Sequence, residues 1–478
     1  MTTVLVANRG EIAVRVVRAC RRLGFRSVVA VSEADRESLA ARLADRAVCI
    51  GPAEPARSYL RPELLAQAAV SVGADVVHPG YGFCSEKPEL GELLAEEGIA
   101  FAGPRPETLR AVGDKSTARH EAIAAGVPVS PAADVDDVAS AVRAANDIGY
   151  PVLLKAVHGG GGRGIHLVTN DGDLTRLFDQ AAAEARAGFG DAALYVEKFY
   201  GRARHVEVQI FGDGEGGVLI VGDRDCSVQR RHQKVIEEAP APHLSEATRT
   251  LLHDSATRLS QHLRYTGAGT VEFLVDTESD ADPATVVFLE VNGRIQVEHP
   301  VTEELFGVGL VAAQLLLAAG QPTRLPERLD PPVGHVIECR LTAEDPYADF
   351  RPSPGRIRRA EFPHGPGIRI DTAIFDGHLF PPYYDSLMAK VIVRAHDRAA
   401  AVESIRAAID GTVIEGVHTT ADVHRFVLDQ PAFRQGGVTT EWLDDVWPPE
   451  DRAGDIDPGP ATAAGTQPDR APTTEVMA

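Results

Sequence analysis

The sequence predicts an α/β and α+β protein in three parts: an N-terminal parallel α/β domain, a small mobile lid domain, and a large C-terminal domain on a mixed or antiparallel sheet. Three observations predict it. Over residues 4–83, short apolar runs alternate with amphipathic helical segments, the pattern of strands joined by crossover helices. Between residues 130 and 202, strand and helix signals surround a glycine-rich loop and are bounded by turn-rich segments. From residue 203 to 446, polar and apolar residues alternate repeatedly, as in strands with one face against helices.

Residues 4–7 read as a buried strand, 8–10 as a turn, and 11–23 as a helix whose apolar positions Ile12, Val16, Val17 and Cys20 share a face; Gly24 ends it. Strands at 27–31, 47–50 and 76–77 and a helix at 62–72 continue the first domain, 1–112. Its Asn8-Arg-Gly-Glu11 turn lacks the glycines of a dinucleotide fingerprint, so nicotinamide chemistry is not indicated. The loop at 80–86 lies where open α/β sheets bind ligands. Residues 113–129, with a helix at 116–125, connect to the lid, 130–202. The lid carries helices at 135–147 and 174–187 and strands at 152–156, 164–168 and 193–198. The third domain, 203–446, has expected strands at 205–211, 218–223, 270–275, 288–300, 333–344 and 386–394, and helices at 245–263, 304–319 and 399–410. The acidic residues 277–283 read as a hairpin tip. Residues 447–478, rich in Pro, Gly, Ala, Thr and acids, read as a disordered tail.

With 69 acids against 48 Lys plus Arg, the formal charge is -21, which argues against non-specific nucleic-acid binding and adhesion to anionic membranes. It does not argue against an anionic substrate, because the cations are clustered. Cys20, Cys49, Cys84, Cys226 and Cys339 are widely spaced, without a Cys-x-x-Cys pair, so neither a disulfide framework nor a cysteine zinc site is indicated. No signal segment and no run of 18 apolar residues is present, and a cytoplasmic location is expected.

Four segments carry chemistry. If 288–300 runs extended, Glu290, Asn292, Arg294, Gln296 and Glu298 share one side, and Leu289, Val291, Ile295 and Val297 the other. The loop from Lys155 to Gly164 places consecutive glycines, among them Gly160, Gly161 and Gly162, where backbone N–H groups can converge on phosphate, with Lys155 and Arg163 adding charge. A basic group from Arg224 to Lys234, set among Cys226, Val228, Val235 and Ile236, implies anion recognition. Glu272 and Glu290 each interrupt an apolar strand, and with Asn292 they form an oxygen-ligand set for magnesium bridging nucleotide phosphates. A glycosidase pair would leave the glycine loop and the lysines without a task.

Further motifs stand at Asn8-Arg-Gly-Glu-Ile-Ala13, His78-Pro-Gly-Tyr-Gly-Phe83, the loop at 159–164, Arg230-Arg-His-Gln-Lys234, Glu237-Glu-Ala-Pro-Ala-Pro242, the run from Arg294 to Glu303, and Glu338-Cys-Arg340. In these motifs, over about residues 3–446, the chain resembles the biotin carboxylase component of acetyl-CoA carboxylase and related biotin-dependent carboxylases, members of the ATP-grasp superfamily. The resemblance implies an ATP-grasp fold in which Lys115, Lys155, Glu197, Lys198 and His232 surround ATP, with adenine near Glu197 to Tyr200. It places Mg²⁺, with Mn²⁺ as an alternative, at Glu272, Glu290 and Asn292. Bicarbonate falls at Lys234, Arg294, Gln296 and Val297, with His205 and Gln229 nearby. Glu298 becomes the general base, and Arg340 lies against the biotin ureido oxygen.

The implied reaction is ATP-dependent carboxylation of biotin N1 through carboxyphosphate, the first half-reaction of an acyl-CoA carboxylase. None of Met1, Met388 and Met477 precedes a lysine, so biotin is expected on a separate carrier protein, with carboxyltransferase subunits also in trans. A homodimer joined through residues within 350–400 is expected by the same resemblance. Two positions depart from the family: His158 stands where a glycine or very small residue is usual, and Gly293 where Thr or Pro is common, loosening the joint between metal and bicarbonate ligands. The alternatives are an ATP-grasp carboxylase or ligase with a different small acceptor, which leaves Arg340 and the Arg294–Glu298 run unexplained, and a nucleotide-binding regulatory protein.

Overall fold

The computed structural model describes residues 1–157, 164–278 and 281–449. The N-terminal sheet has five parallel strands, β1 (Thr3–Val6), β2 (Arg26–Ser32), β3 (Arg46–Gly51), β4 (Val76–His78) and β5 (Ala100–Phe101), in the order β3-β2-β1-β4-β5. The strand order reverses between β1 and β4, and there the loops following the two strands meet, as expected of a ligand-facing crevice. Asn8 stitches them together: its Nδ2 donates to the carbonyls of Pro79 and Tyr81 at 2.7 and 2.8 Å. The helix Gly10–Leu23 buries Ile12, Val16, Val17 and Cys20, as its spacing requires, and ends at Gly24 in the left-handed conformation.

The second sheet is antiparallel: β6 (Ala132–Val135), β7 (Val152–Ala156), β8 (Ile165–Val168) and β9 (Leu194–Lys198), in the order β6-β9-β7-β8. The helices Val138–Ile148 and Asp171–Phe189 close over it around a separate core that includes Val152, Leu154, Leu174 and Val196. The strand β6 was not expected. The helix after it starts at Val138 rather than 135 because Asp137 and Ser140 form a capping box that fixes the first turn.

The third sheet has eight strands. In sheet order they are β14 (Val286–Asn292), β13 (Thr266–Asp276), β10 (Ala203–Asp213), β11 (Val218–Arg230), β12 (Gln233–Ala239), β15 (His335–Thr342), then Leu387–Ala395 and Ile368–Thr372. All neighbours are antiparallel. The helix Glu246–His262 shares a core with β10 and β13, and Arg398–Asp410 shares another with β15 and its neighbour Leu387–Ala395.

Two expectations need correction. Residues 288–300 are not extended throughout: the strand stops at Asn292, 293–298 turn, and Glu298 is the N-cap of a helix, His299–Phe306, with Pro300 in its first turn. Residues 304–319 are not one helix. Gly307 ends the first in the left-handed conformation, and the Glu303 carboxylate accepts the Leu310 N–H at 2.8 Å to start a second, Leu310–Ala318, bent 97° from it. Among the described residues, no single helix is long and apolar enough to cross a membrane.

Glu303 also joins distant parts of the chain. Arg15 donates to both its oxygens at 2.8 and 2.9 Å, and Arg369 donates at 2.9 Å. Burial alone would raise its carboxyl, but Arg15, His299 and Arg369 hold it at about 2, below the ordinary 4.5. A folded-state value lowered in this way stabilises the protein above the unfolded value, and the stabilisation is lost as pH falls from about 4.5 towards 2. Glu303→Gln is therefore expected to cost about 3 kcal/mol at pH 7. The deficit against the parent should narrow as pH falls through that window, as thermal melts across pH would show.

Candidate active site

Cross-strand register assembles the site. Glu290 on β14, Glu272 on β13, Glu207 on β10 and Arg224 on β11 stand directly opposite one another in a single row across the four strands. Three neighbouring carboxylates in a buried sheet stay ionised only if cations meet them. Lys234, on β12 opposite Gln229, supplies one: its Nζ donates to Glu207 Oε2 at 2.7 Å, Glu272 Oε1 at 2.9 Å and Glu298 Oε1 at 2.6 Å. Arg224, wholly buried, supplies the other. Its five N–H donors reach Glu207, Gln209, Thr302, Thr270 and Gln296, so its charge is both neutralised and fully hydrogen-bonded.

Glu272 Oε1 also accepts from Asn292 at 2.9 Å and Gln296 at 2.7 Å, while His205 Nε2 lies 2.8 Å from Oε2. Burial would raise the Glu272 carboxyl, yet Lys234 and His205 hold it well below the usual carboxylate range. His205 is in turn held by Gln229, whose Nε2 sits 2.7 Å from His205 Nδ1. Glu290 is different: burial and the neighbouring Glu272 charge raise its carboxyl, its near donor among the described residues is Asn292 at 3.5 Å, and the charge of Lys115 opposes the shift.

The turn after β14 carries the remaining groups. Arg294 donates to Asn292 Oδ1 at 2.8 Å and to Glu86 Oε2 at 2.9 Å, and the Gly293 N–H reaches Glu86 Oε1 at 3.1 Å. The 80–86 loop of the N-terminal sheet thus braces this turn. Glu298 is 2 % exposed, and its second oxygen accepts from Arg340 NH2 at 2.9 Å. Burial would raise Glu298, but Lys234, Arg340 and Arg224 push it far below the carboxylate range, so the resting side chain is an anion between two cations. Arg340 also pairs with Glu237 beneath it.

The structure therefore gathers Glu272, Glu290, Asn292, Arg294, Gln296, Glu298, Lys234, His205, Gln229 and Arg340 in one place, with Val297 in the same turn. In the lid, Lys155 instead pairs with Glu197 at 2.7 Å, and Lys198 donates to the carbonyls of Gly149 and Tyr150 at 2.9 and 3.4 Å. Tyr200 is half-buried just past β9, Lys115 is exposed at the start of the helix Lys115–Ala124, and His232 is exposed on the β11–β12 turn with φ 65°. Gly160, Gly161, Gly162, Arg163 and His158 lie outside the described residues. Sequence reasoning missed Glu207, although His205-Val-Glu-Val-Gln209 shows the same polar interruption of an apolar strand as Glu272. It also missed Glu86.

Gly293 does not loosen the joint. Its N–H is bound by Glu86, and a Cβ there would lie 2.7 Å from Leu109 Cδ2, so the missing side chain makes room for the Leu109 packing.

Three family models match the chain: "Biotin carboxylase, N-terminal domain" over residues 1–109, "Carbamoyl-phosphate synthase L chain, ATP binding domain" over 114–326, and "Biotin carboxylase C-terminal domain" over 338–445. The chain is 45% identical to a biotin carboxylase of Nostoc sp., covering 93% of this chain and 98% of that protein. It is 44% identical to a pyruvate carboxylase subunit of Methanothermobacter thermautotrophicus, covering 92% and 89%. A Campylobacter jejuni biotin carboxylase solved as a β-γ-ATP complex superposes with a TM-score of 0.86 at 41% identity, over 93% and 98% of the two chains. The biotin carboxylase domain dimer of Hydrogenobacter thermophilus 2-oxoglutarate carboxylase, solved with MgADP, ADP and bicarbonate, superposes with a TM-score of 0.85 at 41% identity, over 93% and 97%.

Gly293→Ala is expected to force Leu109 aside and cost about 1–3 kcal/mol. Combined with Leu109→Ala, most of that crowding should vanish, giving clear non-additivity in a double-mutant cycle read by urea denaturation.

Proposed function

As the chain belongs to the biotin carboxylase family, we propose that the Lys234–Glu298–Arg340 arrangement is where bicarbonate is activated and biotin carboxylated. The chain catalyses ATP-dependent carboxylation of biotin, the first half-reaction of acyl-CoA or pyruvate carboxylases. One observation carries the assignment of residues: a single buried carboxylate, Glu298, held between an ammonium at 2.6 Å and a guanidinium at 2.9 Å beside a row of acids.

In this reading bicarbonate enters between Lys234, Arg294, Gln296 and the Val297 peptide, with His205 and Gln229 behind them. Bicarbonate draws Lys234 away from Glu298, which relieves the cationic hold on that carboxylate and lets it take the bicarbonate proton. The freed oxygen attacks the γ-phosphorus of ATP, the bond to the bridging oxygen of ADP breaks, and carboxyphosphate forms. Its breakdown releases carbon dioxide and phosphate; phosphate takes the N1 proton of biotin, and N1 bonds to carbon dioxide. Arg340, turning from Glu298 to the ureido oxygen, balances the negative charge that develops there.

ATP is held between the lid and the large sheet by Lys115, Lys155, Glu197, Lys198, Tyr200 and His232; Gly160, Gly161 and Gly162, assigned to ATP by the family resemblance, lie outside the described residues. Lys155 then exchanges Glu197 for phosphate as the lid closes and excludes water from carboxyphosphate. The donor chemistry at Glu290 and Glu272 fits a hard divalent cation, because Glu290 stands directly opposite Glu272 and, among the described residues, has only a long contact from Asn292. Asn292 fits through its Oδ1, now taken by Arg294. When bound, Mg²⁺ or Mn²⁺ would neutralise phosphate charge during transfer.

A biotin carrier presents the biotin, and a carboxyltransferase consumes the carboxybiotin. A homodimer is supported by the dimer in the Hydrogenobacter thermophilus structure; residues within 350–400 are proposed as its interface on the family resemblance alone.

The direct test is ADP release with and without bicarbonate and free biotin, coupled to detection of carboxybiotin; release indifferent to bicarbonate would overturn the assignment. Glu298→Gln is expected to nearly abolish bicarbonate-dependent turnover. Arg340→Ala should impair biotin carboxylation more than biotin-independent ATP cleavage, whereas equal losses in the two reactions would remove Arg340 from the biotin step.

A further inference from the structure

We propose that Lys390 is a positioning residue for this chemistry: its ammonium fixes the peptide that joins Val297 to Glu298 and anchors it to Glu11 of the N-terminal helix. The proposal rests on the assignment of Glu298 as the base.

Lys390 lies on the strand Leu387–Ala395, opposite Arg340 on β15, and is fully buried. An ammonium in such a place is costly unless every donor is used. Its Nζ donates to the Val297 carbonyl at 2.7 Å and lies 3.0 Å from Glu11 Oε1, the same oxygen that receives the Tyr81 hydroxyl. Asp371, on the adjoining strand, adds negative charge near it.

The Val297 carbonyl belongs to the turn at 293–298, where the β14 ladder has ended and the helix His299–Phe306 has not begun. No neighbouring strand can set the backbone there. Because a peptide unit is planar, fixing its oxygen fixes the direction in which the next Cα, that of Glu298, is delivered. Lys234 and Arg340 then act on a side chain whose root is already placed. Glu11 sits in the helix that follows β1 and is itself 4 % exposed, so Lys390 gives the turn a rigid reference in the N-terminal sheet. A merely structural Lys390–Glu11 pair would hold the helix to the sheet and would predict a loss of stability without a selective effect on the chemical step.

Lys390→Met keeps the length of the side chain and removes the donor. Its kcat for bicarbonate-dependent ATP cleavage is expected to fall about tenfold or more, with the KM for ATP within about twofold of the parent. ADP affinity by titration calorimetry should be unchanged. If Lys390→Met fails to fold, Glu11→Gln, which keeps an acceptor for Lys390 but weakens the anchor, is expected to lower kcat about three- to tenfold with the same unchanged KM. A kcat within about twofold of the parent in the folded variant, or a fall in kcat matched by an equal loss of ATP or ADP binding, would overturn the proposal. Absence of bicarbonate dependence in the parent enzyme would instead overturn the assignment of Glu298, and the proposal with it.

Discussion

The catalytic sheet depends on one ammonium. Lys234 is the point at which Glu207, Glu272 and Glu298 meet, and without it three buried carboxylates would face one another where little water reaches. Like charges so close would force protons onto at least one of them. The antiparallel register that lines up Glu272 on β13 and Glu207 on β10, with Glu298 brought to them by the turn after β14, is tolerable only because a neighbouring hairpin returns a cation to their centre. Arg224 completes the arrangement from the other side, holding Glu207 and, through Gln296, the turn that bears Glu298.

That arrangement explains how a strongly acidic protein concentrates positive charge where an anion must react. Each cation in the resting site is already paired: Lys234 with three acids, Arg340 with Glu298 and Glu237, Arg294 with Glu86. In the proposed reaction these pairs are internal stand-ins for substrate anions. Exchange of one partner for another keeps the buried charge balanced at every stage, which a site of free cations could not do. In the four-stranded sheet, too, Lys155 is paired with an acid, Glu197.

Most of the architecture was legible because it follows from short-range rules. The helix Gly10–Leu23 announced itself by the spacing of Ile12, Val16, Val17 and Cys20, and the glycine that ends it. Glu272 was legible as a carboxylate out of place in an apolar strand. What the sequence did not disclose depends on contacts across long separations. The alternation from Phe288 to Pro300 suggested one extended face, yet the chain turns after Asn292; Gln296 and Glu298 rejoin the row because Arg224 and Lys234 hold them there. Gly293 suggested looseness, and only the position of Leu109 shows what fills its space. The break after Phe306 turns on a side-chain carboxylate capturing the Leu310 N–H, which no local periodicity encodes.

The pairs that cross from the N-terminal sheet to the rest of the molecule have a consequence for how such a chain can be taken apart. The segment matched by the first family model ends at residue 109, but its helix sends Arg15 to Glu303 and Glu11 to Lys390, and its core is continuous with Ile295, Leu310 and Leu315. Cutting there would strand buried charges of both signs and open one apolar core on two surfaces. The boundaries seen in sequence therefore mark units of descent rather than units of cooperativity, and a graft between relatives would have to carry both halves of each crossing pair.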